Sequence, residues 1–133
     1  MIVLDASALA DWLLGTEGRG PAVGARIRAA TSVHSVDLVY VEVVSVLRRK
    51  LARREMATPR ADAALELLAQ TRLRRHSARP LLPRMWALRS ALSAYDAAYV
   101  ALAESLRVPL VTTDGRLARS SAHAATIDEA RPL

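Results

Sequence analysis

Apolar residues along the chain fall into short clusters and longer stretches with helical spacing. The run Ile2–Asp5 is apolar up to its closing carboxylate and suits a buried strand, whereas Val39, Val43 and Leu47 recur as on one helix face. Strands are predicted at Ile2–Asp5, Ser32–Val36, Leu73–Ser77 and Pro109–Thr113. Helices are predicted at Ser7–Leu14, Pro21–Ala30, Leu38–Arg54, Thr58 to about Ala69, Pro80–Leu92 and Tyr95–Arg107, with a short one after Asp114-Gly115.

This order of elements predicts an α/β domain with a mostly parallel central sheet, because strands alternate with helices. Thr58, followed by Pro59, is expected to cap the helix that it opens. The stretch after Ser120 leaves two alternatives, an edge strand near Ala124–Ile127 or a frayed end. No repeat, low-complexity tract or linker is found, so residues 1–133 are predicted to form one domain.

Composition narrows the class of protein. Hydrophobic residues make up 52% of the 133 residues, enough for one continuous core, which excludes wholesale disorder. No apolar run approaches the roughly 18 residues of a membrane helix, and the amino terminus has no basic lead-in of a secretory signal. The absence of cysteine excludes disulfides, thiolate metal sites and a cysteine nucleophile, and we expect a cytoplasmic protein with no membrane association.

Positive charge is concentrated in the middle of the chain. The net charge is +6, and residues 40–90 hold twelve Lys/Arg against four Asp/Glu. Such a basic region is typical of proteins that bind phosphate backbones. The alternative is a compositional bias, since alanine, leucine and arginine dominate the whole sequence.

Four acidic residues stand where chemistry is expected. Asp5 and Asp114 follow predicted strands, and ligands of open α/β sheets bind beyond the carboxyl ends of strands. Glu42 and Asp96 lie in predicted helices among apolar neighbours, where a buried carboxylate is unfavourable unless something pairs with it. No basic residue lies one helical turn from Glu42, so a shared metal ion would supply the compensation.

Each acid also has a purely structural interpretation. Asp5 could cap the first helix, and Ser93 with Asp96 matches a capping box. Asp114-Gly115 is a common turn dipeptide. Each acid taken alone fits either the structural or the functional interpretation. All four together, in this order along the chain, favour the functional interpretation.

Four segments around these acids resemble the motifs of the PIN-domain family. They are Met1–Leu9, Val41–Arg49, Tyr95–Glu104 and Leu110–Ala118. The resemblance spans residues 1 to about 119, and the chain is similar in size to the VapC-type toxins of that family. It implies a PIN-like three-layer α/β/α fold and a Mg²⁺- or Mn²⁺-dependent endoribonuclease that acts as the toxin of a type II toxin–antitoxin pair. One departure is Arg116, where some PIN domains carry a further aspartate, and it is expected to affect metal affinity or a second metal.

The resemblance also implies roles for individual residues. Asp5 and Asp96 would be the main metal ligands, and Glu42 and Asp114 would act through water or orient the attacking water, so all four are catalytic candidates. Ser7 and Thr112 are expected to donate hydrogen bonds to the ligands, with a helix-capping role as the alternative for Ser7. The candidate RNA-binding residues are Arg48, Arg49, Arg53, Arg74 and Arg75.

The expected partners are an RNA substrate, a cognate VapB-type antitoxin and a second copy of the chain. The alternative function is a PIN-like module that binds RNA or protein without cleavage. A phosphatase of the haloacid-dehalogenase type is disfavoured, since Ser7 stands where that chemistry needs a second acid.

Overall fold

The computed structural model describes residues 1–132 and contains five strands and seven α-helices in that range. The strands are β1 (Ile2–Leu4), β2 (Val33–Val36), β3 (Arg74–His76), β4 (Leu110–Thr112) and β5 (Ile127–Glu129). The helices are α1 (Ala6–Leu14), α2 (Arg19–Ala29), α3 (Leu38–Ala52), α4 (Thr58–Gln70), α5 (Leu82–Ala87), α6 (Ala94–Leu106) and α7 (Gly115–Ala118).

All five strands pair in parallel in the order β3-β2-β1-β4-β5. The chain leaves β1 towards β2 and β3 on one side and later crosses to β4 and β5 on the other, so the strand order reverses at β1. Leu4 of β1 stands opposite Val111 of β4, so the residues that follow these two strands emerge side by side. Such a reversal point is the usual ligand-binding position of an open α/β sheet.

The core lies between the sheet and two groups of helices. Val3, Leu4, Leu110 and Val111 are fully buried in the central strands, and α6 is buried continuously from Ala97 to Ala103. Helix α1 packs against α2, α3 and α4, whereas α6 packs against α5 and the central strands. The predicted three-layer α/β/α arrangement with a parallel central sheet is therefore confirmed. No helix within residues 1–132 is long and apolar enough to cross a membrane.

Two predictions of local structure are wrong. Ala57, not Thr58, is the N-cap of α4, and Thr58 is its first helical residue. The predicted helix Pro80–Leu92 is a 3₁₀ turn (Arg79–Leu81) followed by the short α5, because Pro80 and Pro83 each remove a backbone donor and the helix restarts between them. Of the two alternatives for the stretch after Ser120, the structure has the edge strand, which lies at Ile127–Glu129, slightly later than Ala124–Ile127.

Two further features concern the turn after α3 and the edge strand β5. Helix α3 ends at Ala52, and an exposed turn with Arg54 in the left-handed conformation (φ 56°) leads to α4. The edge strand β5 is tied to α2 by a bidentate pair, in which Arg26 Nε and Nη2 lie 2.7 and 2.8 Å from the two Asp128 carboxylate oxygens.

Candidate active site

Asp5 lies directly after β1 and caps α1, and it is almost fully buried, at 4% exposure. Its Oδ1 accepts hydrogen bonds from the Ala8 amide (2.9 Å) and the Ser7 hydroxyl (2.7 Å), and its Oδ2 accepts one from Thr112 Oγ1 (2.5 Å). Burial nevertheless raises the pKa of Asp5 to about 6, because desolvation outweighs the three donors. The site thus holds one carboxyl group in a fixed orientation inside the protein.

Asp114 follows β4 and reaches the same edge of the sheet. It caps α7 by accepting from the Arg116 and Leu117 amides, and its own amide donates to Thr112 Oγ1 (3.0 Å). Thr112 Oγ1 lies 3.1 Å from Ser7 Oγ, which also accepts from the Thr113 amide. The hydroxyls of Ser7 and Thr112 therefore join the ends of β1 and β4.

The other two acids come from α6 and α3. Ser93 caps α6 by accepting from the Asp96 amide (3.2 Å), which fixes the first turn that carries Asp96. Glu42 on α3 accepts a hydrogen bond from the Tyr99 hydroxyl on α6 (2.9 Å). Tyr99 is 1% exposed, and burial raises its pKa, so the phenol stays protonated and acts as a donor.

The four carboxyl groups lie near enough to influence one another electrostatically. Burial raises the pKa of both Glu42 and Asp96. The charge of Asp96 further raises the pKa of Asp5 and of Glu42, and the charge of Asp114 raises that of Asp96. The structure brings the four sequence-predicted acids to one edge of the sheet, where their negative charges repel one another. Two of the structural interpretations also hold, because Asp5 caps α1 and Ser93 caps α6 through the Asp96 amide. Asp114, predicted as part of a turn, caps α7.

Arg116 lies at the mouth of this acidic cluster. Its Nη2 is 3.9 Å from Asp96 Oδ2 and 3.7 Å from Asp114 Oδ2, and its side chain is 81% exposed. The residue that replaces a family aspartate therefore supplies a positive charge to two of the four acids.

The four acids offer carboxylate oxygens, which are the type of ligand that a hard divalent cation such as Mg²⁺ prefers. Within residues 1–132, no three His, Asp or Glu side chains already form a coordination cluster. Mg²⁺ does not need one, because it keeps several waters and is commonly held by one or two carboxylates plus a phosphate. A divalent ion would also relieve the repulsion that raises the pKa of Asp5, Glu42 and Asp96.

The predicted RNA-binding arginines fall into two separate places. Arg49 lines a groove of about 350 Å³ together with Glu42 and Tyr95, and Arg48 and Arg53 are exposed at the end of α3. The remaining two, Arg74 and Arg75, line a different cavity beside β3.

Sequence reasoning missed the contact of Tyr99 and the ion pairs of Arg116. A signal for Tyr99 was present, because it follows Asp96 by three residues and therefore shares its helix face. Arg116 stood out only as a departure from the family pattern, and its pairing with Asp96 depends on the fold.

Known proteins are similar to this chain over most of its length. The family model of the PIN domain matches residues 2–122. The chain is 41% identical to Ribonuclease VapC12 of Mycobacterium tuberculosis over 128 residues, which cover 96% of this chain and 98% of that protein. It is 43% identical to Ribonuclease VapC3 of the same organism over 125 residues, covering 92% and 90%.

Solved structures show the same fold. Mycobacterium tuberculosis VapC20, described as a Sarcin-Ricin loop cleaving toxin, gives a TM-score of 0.68 at 20% identity and covers 99% of this chain and 100% of its own. VapBC2 from Rickettsia felis, bound to a DNA fragment from its promoter, gives a TM-score of 0.67 at 11% identity, with 97% and 98% covered.

Proposed function

This chain belongs to the PIN-domain family and is similar to VapC ribonucleases over most of its length. On that premise we propose that it is the toxin of a toxin–antitoxin pair and that it hydrolyses RNA phosphodiester bonds internally with bound Mg²⁺ or Mn²⁺. The observation that carries the metal-dependent reaction is that Asp5, Glu42, Asp96 and Asp114 meet at one edge of the sheet. Thr112 contacts both Asp5 and the Asp114 amide, Arg116 Nη2 lies 3.9 and 3.7 Å from Asp96 and Asp114, and Tyr99 joins Glu42 to the helix that carries Asp96. Repelling carboxylates of this kind are stabilised when a divalent cation binds among them.

Asp5 and Asp96 are the proposed main ligands. Asp5 is prepared for this role because Ser7, Thr112 and the Ala8 amide fix its orientation. Asp96 is held near it by the Ser93 cap. When bound, the metal ion would polarise a phosphoryl oxygen and lower the pKa of a bound water.

Glu42 and Asp114 are proposed to position water rather than to bind metal directly. The Tyr99 hydroxyl fixes one oxygen of Glu42 and leaves the other open to the groove shared with Arg49. Asp114 uses Oδ1 to cap α7, so its Oδ2, which lies 3.7 Å from Arg116 Nη2, is the oxygen proposed to hold a water. The RNA would approach along α3, where Arg48, Arg49 and Arg53 can contact its phosphates.

Two protein partners complete the proposal. A VapB-type antitoxin would cover the groove beside Glu42, where Val41 and Tyr95 are exposed apolar neighbours of the acids. A second copy would pack on the apolar surface of α5, where Leu82 and Trp86 are exposed. The location proposed for this activity is the cytoplasm.

The proposal is tested by brief induction of the chain and of Asp96→Asn, followed by sequencing of RNA 5′ ends. The wild type should stop growth and produce discrete new ends, and the variant should do neither. Asp62→Asn is the matched control, since Asp62 is an exposed aspartate on α4 away from the acids. Full cleavage by Asp96→Asn, or no cleavage by the purified wild type with Mg²⁺ and Mn²⁺ over a broad RNA panel, would refute the proposal; the second result favours a binding module.

A further inference from the structure

A second polar cavity lies at the other end of the sheet from the four acids. It has a volume of about 690 Å³. Ser32 precedes β2 and Arg72 precedes β3, so the cavity lies near the amino ends of these strands, whereas Asp5 and Asp114 follow carboxyl ends. Its polar lining consists of four hydroxyl-bearing residues and three arginines: Thr31, Ser32, Tyr40, Thr71, Arg72, Arg74 and Arg75.

The charge of this cavity is positive and unbalanced. No Asp or Glu is among the residues that line it. Arg72, Arg74 and Arg75 form no ion pair in the part of the chain that the structure describes. Elsewhere, Arg26 and Arg84 each pair with a carboxylate through two nitrogens. Guanidinium groups without carboxylates, set among hydroxyls, are suited to a phosphate oxyanion.

The face of the sheet beneath Arg74 is also polar. A chain of hydrogen bonds runs from Ser32 Oγ to His34 Nε2 (2.9 Å) and from His34 Nδ1 to His76 Nε2 (2.9 Å). Arg74 lies two residues before His76 in β3, so both side chains are on this face. His34 is buried, and burial lowers its pKa. Ser32 and Arg74 line the cavity, and the hydrogen-bonded chain from Ser32 through His34 to His76 continues the polar character of the cavity along this face of the sheet.

We propose that this cavity binds a phosphodiester group of the RNA substrate, away from the bond that is cleaved. The inference rests on the proposed function and adds a second contact at the opposite end of the sheet. The strands between the two ends have three or four residues, so the sheet is about 10–13 Å deep here. A folded RNA loop is therefore large enough to reach both ends around the β3 edge, whereas a single nucleotide is not.

The test measures binding of a fluorescein-labelled RNA stem–loop to the full chain by anisotropy, with Ca²⁺ replacing Mg²⁺ to suppress cleavage. Replacing Arg72 and Arg74 together with alanine should weaken binding several-fold and reduce the slope of log K against log salt by about 0.7, for one lost single-strand phosphate contact. The matched control replaces Arg19 and Arg28, two exposed arginines on α2, and should leave the slope unchanged.

The proposal would be overturned if the Arg72/Arg74 variant kept the affinity and salt slope of the wild type. It would also be overturned if the control lost as much affinity and slope, or if the wild type did not bind RNA. A second arm titrates inorganic pyrophosphate and follows the imidazole signals of His34 and His76 by NMR. Shifts with pyrophosphate but an unchanged RNA affinity in the variant would assign the cavity to a free phosphate ligand and overturn the RNA assignment. Because binding is measured without cleavage, absence of nuclease activity with Mg²⁺ or Mn²⁺ counts against the proposed function separately.

Discussion

Asp5 has two roles with opposite effects on the free energy of unfolding. As the N-cap of α1 it satisfies the Ala8 amide, which stabilises the helix by about 1 kcal/mol. As a buried charge it opposes folding, because desolvation raises its pKa to about 6. A carboxyl group with such a raised pKa is retained for a ligand that compensates its charge, which is the expected property of a metal ligand.

The first prediction concerns this residue in the metal-free protein. Because the folded-state pKa lies above the ordinary 3.8, the contribution of Asp5 to stability is complete below pH 3.8 and is lost as the pH rises through 6. In EDTA, Asp5→Asn should therefore raise the free energy of unfolding at pH 7.5 by up to about 3 kcal/mol and leave it nearly unchanged at pH 3.5. Urea unfolding at both pH values measures this. Asp37→Asn, at an exposed position, should show no gain, and a destabilised Asp5→Asn at pH 7.5 would contradict the assignment.

The Arg116 side chain, which pairs with two of the four acids, gives a second prediction. Its guanidinium competes with a metal ion for Asp96 and Asp114, but exposed pairs of this length stabilise by at most about 1 kcal/mol. Arg116→Ala should therefore bind Mn²⁺ about 2- to 5-fold more tightly, measured by electron paramagnetic resonance of free Mn²⁺. Arg119→Ala is the control, since Arg119 is an exposed neighbour without an ion pair in residues 1–132. Unchanged affinity in Arg116→Ala would show that the pairs do not oppose the metal.

At the scale of elements, α6 organises the site. Its first turn carries Asp96 under the Ser93 cap, and one turn later Tyr99 reaches across to Glu42 on α3. The continuous burial from Ala97 to Ala103 holds this helix against the central strands. Two acids on different helices are therefore positioned by one rigid element.

The third prediction follows from that arrangement. Among the described residues, Tyr99→Phe removes the only hydrogen bond that fixes the Glu42 side chain. The variant should lower kcat about 10-fold, which corresponds to about 1.4 kcal/mol in activation free energy. Its KM and its circular dichroism spectrum should be unchanged. Single-turnover cleavage of a defined RNA measures it. Tyr95→Phe on the same helix is exposed and should keep full activity. Equal kcat for Tyr99→Phe and the wild type would remove Tyr99 from the positioning of Glu42.

The sequence allowed the elements to be predicted where local chemistry decides them. The strand–helix order, the cap at Asp5 and the start of α6 at Ser93 depend on neighbouring residues, and their positions agree with the structure within one or two residues. The helix Pro80–Leu92 was predicted too long, because apolar spacing does not reveal where two prolines interrupt the backbone hydrogen bonds. The family resemblance predicted Thr112 as a hydrogen-bond donor to the ligands, but local spacing alone could not, because Thr112 and Asp5 are 107 positions apart and only the strand register brings them together.

At the scale of the whole molecule, exposed apolar side chains are distributed unevenly. Trp86 is 69% exposed, carries Arg89 over its ring at 4.5 Å, and with Leu82 borders an apolar cavity of about 540 Å³ at α5. Large exposed apolar patches mark interaction surfaces. The α5 surface is therefore the proposed contact between two copies, separate from the groove beside Glu42.

The fourth prediction tests that contact. Replacing Leu82 and Trp86 with glutamate places two charges in the proposed interface. The molar mass measured by light scattering after size-exclusion chromatography should therefore fall from that of a dimer to that of a monomer. Leu67→Glu introduces a charge at an exposed apolar position on α4 and should leave the dimer intact. If the wild type is a monomer, or the double variant keeps the dimer mass, the α5 surface is not the contact.

The exposed left-handed turn at Arg54 divides the four acids evenly. Residues before it hold Asp5 and Glu42 with β1 and β2, and residues after it hold Asp96 and Asp114 with the other three strands. A chain severed at this turn would yield two fragments, each lacking half of the carboxylates. Growth arrest would then require both fragments in one cell, so fusing them to two test proteins would convert an encounter between those proteins into a selectable phenotype.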